Sequence, residues 1–281
     1  MSKIVYLNSK FVKFRDAKIH IEDRGLQFSD SVYEVVSVYN NKFIDYVFHI
    51  KRLKFSLKEL DIKYKVENKK LRKIFEKLIL KNNIKTGIIY LQITRGIQPR
   101  NHAYIDKYTP NVIIYVRKKS FNLPGKSFVG KTAITVKDLR WKRRDIKTVS
   151  LLPNILAKKQ AEQQGAYEAI LIDNGKVTEG TTSNVWMIKN KILITPPSNT
   201  DILKGVTRET LKKLLKNEKL KLKEKKFNKE QLYKADEVFI TSASSFVTPI
   251  IKIDNKKINK GKIGPISRKL SEIYVGELRR G

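Results

Sequence analysis

The chain contains no cysteine, which excludes disulfides, thiolate nucleophiles and thiolate metal sites together. Histidine is scarce too. His20, His49 and His102 lie far apart and form no helical metal-binding pair, so a metal enzyme is not expected. No apolar run approaches the ~18 residues that a bilayer span needs. The opening MSKIVYLNSKF alternates polar and apolar residues where a secretion signal would place an apolar block. These shortages lead us to expect a cytoplasmic protein with no membrane partner. Acidic residues are the remaining deficit: 27 Asp and Glu stand against 60 Lys and Arg, a formal net charge of +33. Such a charge attracts nucleic acid and small anions alike. Lysine, however, is plentiful in every segment, from ENKKLRKIFEKLILKNN to LKKLLKNEKLKLKEKK, and no zinc finger, RNP-type strand or coiled basic region gathers it. The excess reads as compositional, and no nucleic-acid partner is expected.

What is present suffices for a folded core: 281 residues, 41% of them hydrophobic. Residues 1–118 read as a small N-terminal α+β domain with strands KIVYLN, AKIHI and VYEVVSVYNNKFI, the last turning at Asn-Asn. Two amphipathic helices follow, one carrying Leu53, Leu57 and Leu60 on one face, the other Leu71, Ile74, Phe75 and Leu78; strands GIIYLQITRG and NVIIYVRK close the domain. Residues 119–127, with Pro and Gly, read as a linker. Residues 128–281 read as a larger α+β domain: strand TAITVKD, helix NILAKKQAEQQG, strand EAILID, an Asn-Gly turn at 174 and 175, strands through NVWMIKNKILITP, helices near 207–217 and 265–280, and strands EVFITSAS and IIKIDN.

One lysine stands apart by position. Lys147, in RWKRRDIKTVSLLPNILAKKQ, follows an expected strand and precedes an apolar helix, a place from which its amine can be carried inward. Buried lysine amines lose affinity for their proton and become nucleophiles. Taken alone, a solvated lysine at an element boundary is the better reading. Thirty-two residues on, in KVTEGTTSNVWMI, Glu179 ends a strand before a turn that can fix a carboxylate. A lysine amine with a carboxylate to face a pyridine nitrogen is what pyridoxal phosphate requires. The segment LKGVTRET adds a Gly-containing turn opening a helix, whose free N–H groups at Val206 and Thr207 favour a dianion; the loop TSASS at 241–245 can contribute further donors.

At these residues the sequence resembles the fold-type IV pyridoxal-phosphate enzymes, which comprise D-amino acid aminotransferases, branched-chain aminotransferases and aminodeoxychorismate lyases. Eight blocks carry the resemblance in order: EDRGLQFSDSVYEVV, HIKRL, YLQITRG, DIKTVSLLPNILAKKQA, YEAILID, VTEGTTSNVW, ILKGVTR and FITSASSFVTP. It implies an α+β, two-domain enzyme whose larger C-terminal domain is built on a barrel-like β core with helices. It also implies pyridoxal 5′-phosphate as cofactor, Lys147 as the Schiff-base lysine, Glu179 as partner of the pyridine nitrogen, and Arg52 as a phosphate ligand. Val206, Thr207, Ser242 and Ser244 complete the phosphate cup.

Arg100 and His102, two apart in ITRGIQPRNHAY, can point the same way in an extended loop. They resemble the carboxylate trap of the D-amino acid aminotransferase branch, where a tyrosine matching Tyr33 completes it. The resemblance therefore implies transamination between D-amino acids and 2-oxo acids by alternating half-reactions, in a homodimer whose trap loop comes from the neighbouring subunit. L-branched-chain amino acid transamination and aminodeoxychorismate cleavage remain the enzymatic alternatives. The sequence departs from the family pattern at Ala243, where a threonine is usual, at Phe246, where a glutamate is usual, and in the serines that flank Asp30.

Overall fold

The computed structural model describes residues 3–218 and 220–280, of which 279 and 280 by backbone alone. Met1 and Ser2, which open the alternating N-terminal stretch, lie outside the described residues, as does Gly281. The architecture is α+β, in two compact units: Met1–Ser120 with Ile146–Ser150, and Phe121–Asp145 with Leu151–Gly281. The stretch 119–127 is thus divided at Ser120 and Phe121. Ile146–Ser150, which a linear division of the chain assigns to the larger domain, groups with the first unit.

The first unit contains β1 (Ile4–Leu7), β2 (Lys10–Lys13), α1 (Arg24–Phe28), β3 (Ser31–Tyr39), β4 (Lys42–Phe43), α2 (Tyr46–Glu59), α3 (Asn68–Lys81), β5 (Gly87–Thr94) and β6 (Asn111–Lys118). Its sheet runs β2-β1-β6-β5-β3-β4, every pairing antiparallel. Asparagine sets the tight turns. Asn8-Ser9 and Asn40-Asn41 both adopt left-handed conformations in two-residue loops, the geometry that matches the strand twist. The leucine stripes of α2 and α3 cover one sheet face: Leu53, Leu57, Leu71, Phe75 and Leu78 pack with Val32, Val36, Ile89, Leu91 and Ile114. Leu53 is fully enclosed, so Leu53→Ala would cost about 2–5 kcal/mol.

Two expectations change here. AKIHI forms no strand. Ala17 and Ile19 are half-buried between exposed polar neighbours, but Ile21 is exposed; β2, not anticipated from the sequence, occupies the β1 edge, and backbone without a partner strand forms no ladder. The second change concerns residues 146–150. β4 pairs only Val38 and Tyr39 of β3, which leaves the edge at Ser31–Tyr33 open. The returning chain takes it: Thr148 bridges Val32, Tyr33 N–H donates to the Lys147 carbonyl at 3.0 Å and Val149 N–H to the Ser31 carbonyl at 3.3 Å.

The second unit contains β7 (Lys131–Lys137), α4 (Leu152–Gln163), β8 (Glu168–Asp173), β9 (Lys176–Gly180), β10 (Asn184–Lys189), β11 (Ile192–Thr195), α5 (Val206–Leu215), β12 (Lys221–Glu224), α6 (Lys229–Tyr233), β13 (Glu237–Ser242), β14 (Phe246–Ile253), β15 (Lys256–Lys257) and α7 (Pro265–Arg280). Its sheet runs β12-β11-β10-β13-β14-β7-β8-β9, with β15 beside β14. The sheet curls back on itself. β9, at one end of the order, reaches β10 through a turn closed by Gly180 N–H to the Ser183 carbonyl at 2.7 Å. Val177, Val185, Ile240 and Ile250 fill the enclosed side with Phe227 and Leu232. Ile134, Ala169 and Leu171 pack on Ala157 and Ala161 of α4. β12 and α6 were not expected: KLKE is mostly charged, and α6 is only five residues, too short for a periodic stripe.

Candidate active site

Within the first unit, Lys147 owes its place to backbone pairing with β3. Its own N–H donates to Ser56 Oγ of α2 at 3.1 Å, and its half-buried side chain places Nζ 4.1 Å from the centroid of the Tyr33 ring. Tyr33 stacks on Tyr90 at 5.7 Å and Tyr90 on Tyr115 at 5.0 Å, one tyrosine from each of β3, β5 and β6. The lysine amine therefore stands over an aromatic, half-buried sheet face, opposite the face covered by α2 and α3.

Arg52 projects from the same helix one turn before Ser56. It is gripped by Glu34, with Nε to Oε1 and Nη2 to Oε2 both at 2.8 Å, the planar fork geometry that favours arginine over lysine. His49, one turn earlier, bonds Glu34 Oε2 through Nδ1 at 2.6 Å. Among the described residues its buried Nε2 has no hydrogen-bond partner. Burial pushes the Glu34 carboxyl up, but Arg52 and then His49 outweigh it and hold it at about 2. Glu34 and His49 were not anticipated; their only sequence signal is their place in the blocks VYEVV and HIKRL.

Arg100 and His102 lie on an exposed loop and converge on one ring. The Arg100 guanidinium sits 4.7 Å from the Phe28 centroid, and the His102 ring 5.5 Å from it. Among the described residues no hydrogen bond or ring contact joins Tyr33 to this pair.

Within the second unit Glu179, at the end of β9, is 3% exposed. Its Oε1 is hydrogen-bonded by Arg140. Its Oε2 accepts from Asn184 Nδ2 at 3.2 Å and from the Leu203 N–H at 3.1 Å. Burial pushes the Glu179 carboxyl above the ordinary range, opposed in part by Arg140. Asp138 holds Arg140 in turn, with Nη2 to Oδ2 at 2.8 Å and Nε to Oδ1 at 3.0 Å. Arg140, Asp138 and Asn184 were missed in the sequence, since a charged run such as RWKRRD does not reveal which arginine turns inward.

Val206 and Thr207 open α5 behind Gly205, which caps the helix without a side chain. Gly205 is required by a close approach: a Cβ there would lie 1.9 Å from Asn184 Oδ1. Thr207 is 1% exposed, and its Oγ1 has no hydrogen-bond partner among the described residues. A buried hydroxyl without a partner beside first-turn N–H groups is a donor set suited to a phosphate. Ser242 ends β13 and Ser244 lies on the loop to β14. Ser242 Oγ is bonded to Ser245 Oγ at 2.7 Å and accepts the Ser245 N–H at 3.1 Å. At the end of this loop Phe246 takes a left-handed conformation, φ 55°, rare for a bulky residue. It is packed against Phe121 and Tyr274, which explains how an aromatic is retained where the family pattern has a polar residue.

One unit holds a curled β core and a buried carboxylate bonded to the backbone just ahead of α5, the other a lysine held at a sheet edge, the parts that the resemblance to fold-type IV enzymes leads one to expect. The model of the family Amino-transferase class IV matches residues 31–253. The chain belongs to this family. It is similar to the D-alanine aminotransferase of Listeria monocytogenes serotype 1/2a, 44% identical over 98% of this chain and 96% of that one. To the D-alanine aminotransferase of Staphylococcus aureus MSSA476 it is 41% identical over 95% of each chain. Among solved structures, the branched-chain amino acid aminotransferase of Escherichia coli superposes with a TM-score of 0.91 at 25% identity, over 98% of this chain and 94% of that one. No helix among the described residues is long and apolar enough to cross a membrane.

Proposed function

We propose that the protein is a pyridoxal 5′-phosphate-dependent aminotransferase that moves amino groups between D-amino acids of the D-alanine type and 2-oxo acids such as pyruvate and 2-oxoglutarate. The observation that carries this reading is the convergence of Arg100 and His102 on Phe28, which gathers a cation and an imidazole on one exposed loop as a carboxylate site needs. Relatives 41–44% identical over nearly whole chains, named D-alanine aminotransferases, support it.

When bound, the cofactor supplies an aldehyde for the amino group and a ring that withdraws electrons from the substrate α-carbon. Lys147 is the amine that anchors it and then moves the proton at the α-carbon, as general base and acid. Glu179 is the carboxylate for the ring nitrogen, kept in position by Arg140, Asn184 and the Leu203 N–H. The N–H groups of Val206 and Thr207, the Thr207 hydroxyl, Arg52 and the Ser242–Ser244 loop hold the phosphate. The residues present suit the group, Thr207 Oγ1 above all.

We further propose a cytoplasmic homodimer, with residues 119–127 linking a small domain to a larger one in each copy. Among the described residues no hydrogen bond or ring contact joins Tyr33 to the Arg100–His102 pair, and a trap completed by the loop of a second copy accords with this. Initial rates test the reading: D-alanine with 2-oxoglutarate should yield pyruvate, with parallel double-reciprocal lines, while L-leucine with 2-oxoglutarate should yield almost no 4-methyl-2-oxopentanoate. The reverse preference would favour the branched-chain reading, for which the likeness to the Escherichia coli enzyme is the supporting observation.

A further inference from the structure

Arg100 and His102 are exposed, yet the loop that carries them is built around two buried arginines. Arg24 is 4% and Arg95 3% exposed, and both direct Nε at the same atom, Asp30 Oδ2, at 2.9 and 2.7 Å. Each then reaches outward. Arg24 donates from Nη1 to the Asn101 carbonyl at 2.6 Å and from Nη2 to the His102 carbonyl at 3.2 Å. Arg95 lies 3.7 Å from the centroid of Tyr104. Gln98 ties the loop across its base, accepting the Ile105 N–H at 2.9 Å and donating to the Ile105 carbonyl at 3.1 Å. Arg24 also shares the Phe28 ring with Arg100, its guanidinium 4.6 Å from the centroid.

Two guanidiniums over one ring repel each other unless one is neutralised. Asp30, which Arg24 shares with Arg95, offsets part of the Arg24 charge; Arg24 is buried and committed to Asp30 and two carbonyls, and Arg100 is left as the exposed charge available to an anion. A planar fork bonded to two successive carbonyls also fixes the direction of the backbone that carries His102.

We propose that Arg24, locked by Asp30, is the positioning residue of the Arg100–His102 pair: it holds the backbone at 101 and 102 and so sets the affinity of the site for the α-carboxylate of the substrate. The inference rests on the reading of that pair as the carboxylate site. Arg24 does not itself touch substrate. Its effect should therefore appear in KM and disappear when the two side chains it serves are gone.

The test is a substitution cycle in the holoenzyme. Arg24→Ala should raise KM for D-alanine and for pyruvate together by roughly tenfold, with kcat and the cofactor absorbance close to wild type. Amide hydrogen exchange over residues 97–105 should quicken. On an Arg100→Ala/His102→Ala background the same substitution should add little, because a residue acting through others is non-additive with them. Should Arg24→Ala fold poorly, Arg24→Lys keeps a cation beside Asp30 but cannot span both carbonyls, and the same KM pattern is expected. If Arg100→Ala raises KM and neither Arg24 variant does, the positioning role is overturned while the carboxylate site stands. Independent, multiplying effects would reduce Arg24 to a structural residue. If Arg100→Ala leaves KM unchanged, the reading of the pair fails and this inference falls with it.

Discussion

Glu34 holds Arg52 through both carboxylate oxygens, two parallel bonds of 2.8 Å in a setting where Glu34 is 1% exposed. Glu34→Gln leaves a guanidinium beside an amide that cannot balance it, and breaking a buried pair from one side costs about 3–5 kcal/mol. The expected outcome is a lower unfolding midpoint in urea at neutral pH, together with weaker cofactor retention on dialysis.

The same pair predicts how stability depends on acid. Arg52 and His49 bring the Glu34 carboxyl from its ordinary 4.5 down to about 2. The folded state therefore holds the ionised form more tightly than the unfolded chain does. The stabilisation, on the order of 3 kcal/mol, is fully present above about pH 4.5 and is lost as the pH falls from there through about 2. Urea titrations across this window should show wild type and Glu34→Gln drawing together as the pH falls. A gap that stays constant would mean that Glu34 does not carry the charge assigned to it.

Gly205→Ala places a methyl group 1.9 Å from Asn184 Oδ1, and Asn184 also bonds Glu179. One substitution should thus disturb both the helix N-terminus and the carboxylate. Overpacking of this kind costs about 1–3 kcal/mol, and cofactor titration should show affinity falling by roughly the tenfold or more to which such an energy corresponds. Unchanged affinity would show that the two features are not mechanically joined.

Glu179→Gln keeps the shape and, through its amide oxygen, the Asn184 contact, but removes the charge and turns an NH2 group toward Arg140. Loss of one preorganised electrostatic partner lowers kcat by roughly 10²–10³, so single-turnover rates with D-alanine should fall in that range while the protein still binds cofactor. A variant with the wild-type rate would leave Glu179 as a turn residue only.

The parts of this protein that local pattern governs were legible in its sequence. The leucine stripes of α2 and α3 have one periodicity and one possible face. Two-residue turns led by Asn40 and Asn174 follow from the ease with which asparagine adopts positive φ. AKIHI has the alternation of a strand but pairs with none, and alternation does not report on a partner. Lys147 was singled out by its flanks, yet its position comes from the open edge of β3, far away in sequence. Glu34, Arg140 and Asn184 escaped for the same reason: each is recognisable only by the residue it touches. Family resemblance named one member of each such pair, and the geometry supplied the other.

The central claim, that Lys147 moves the α-proton of a D-amino acid, is tested most directly by isotope exchange. Holoenzyme is incubated in water with α-deuterated D-alanine and, separately, with α-deuterated L-leucine, and the α-position is followed by proton NMR. We expect D-alanine to lose its deuterium, L-leucine to keep it almost entirely, and Lys147→Ala to abolish the exchange while Arg100→Ala only slows it. Wash-out from L-leucine alone, or exchange that survives in Lys147→Ala, would contradict the account.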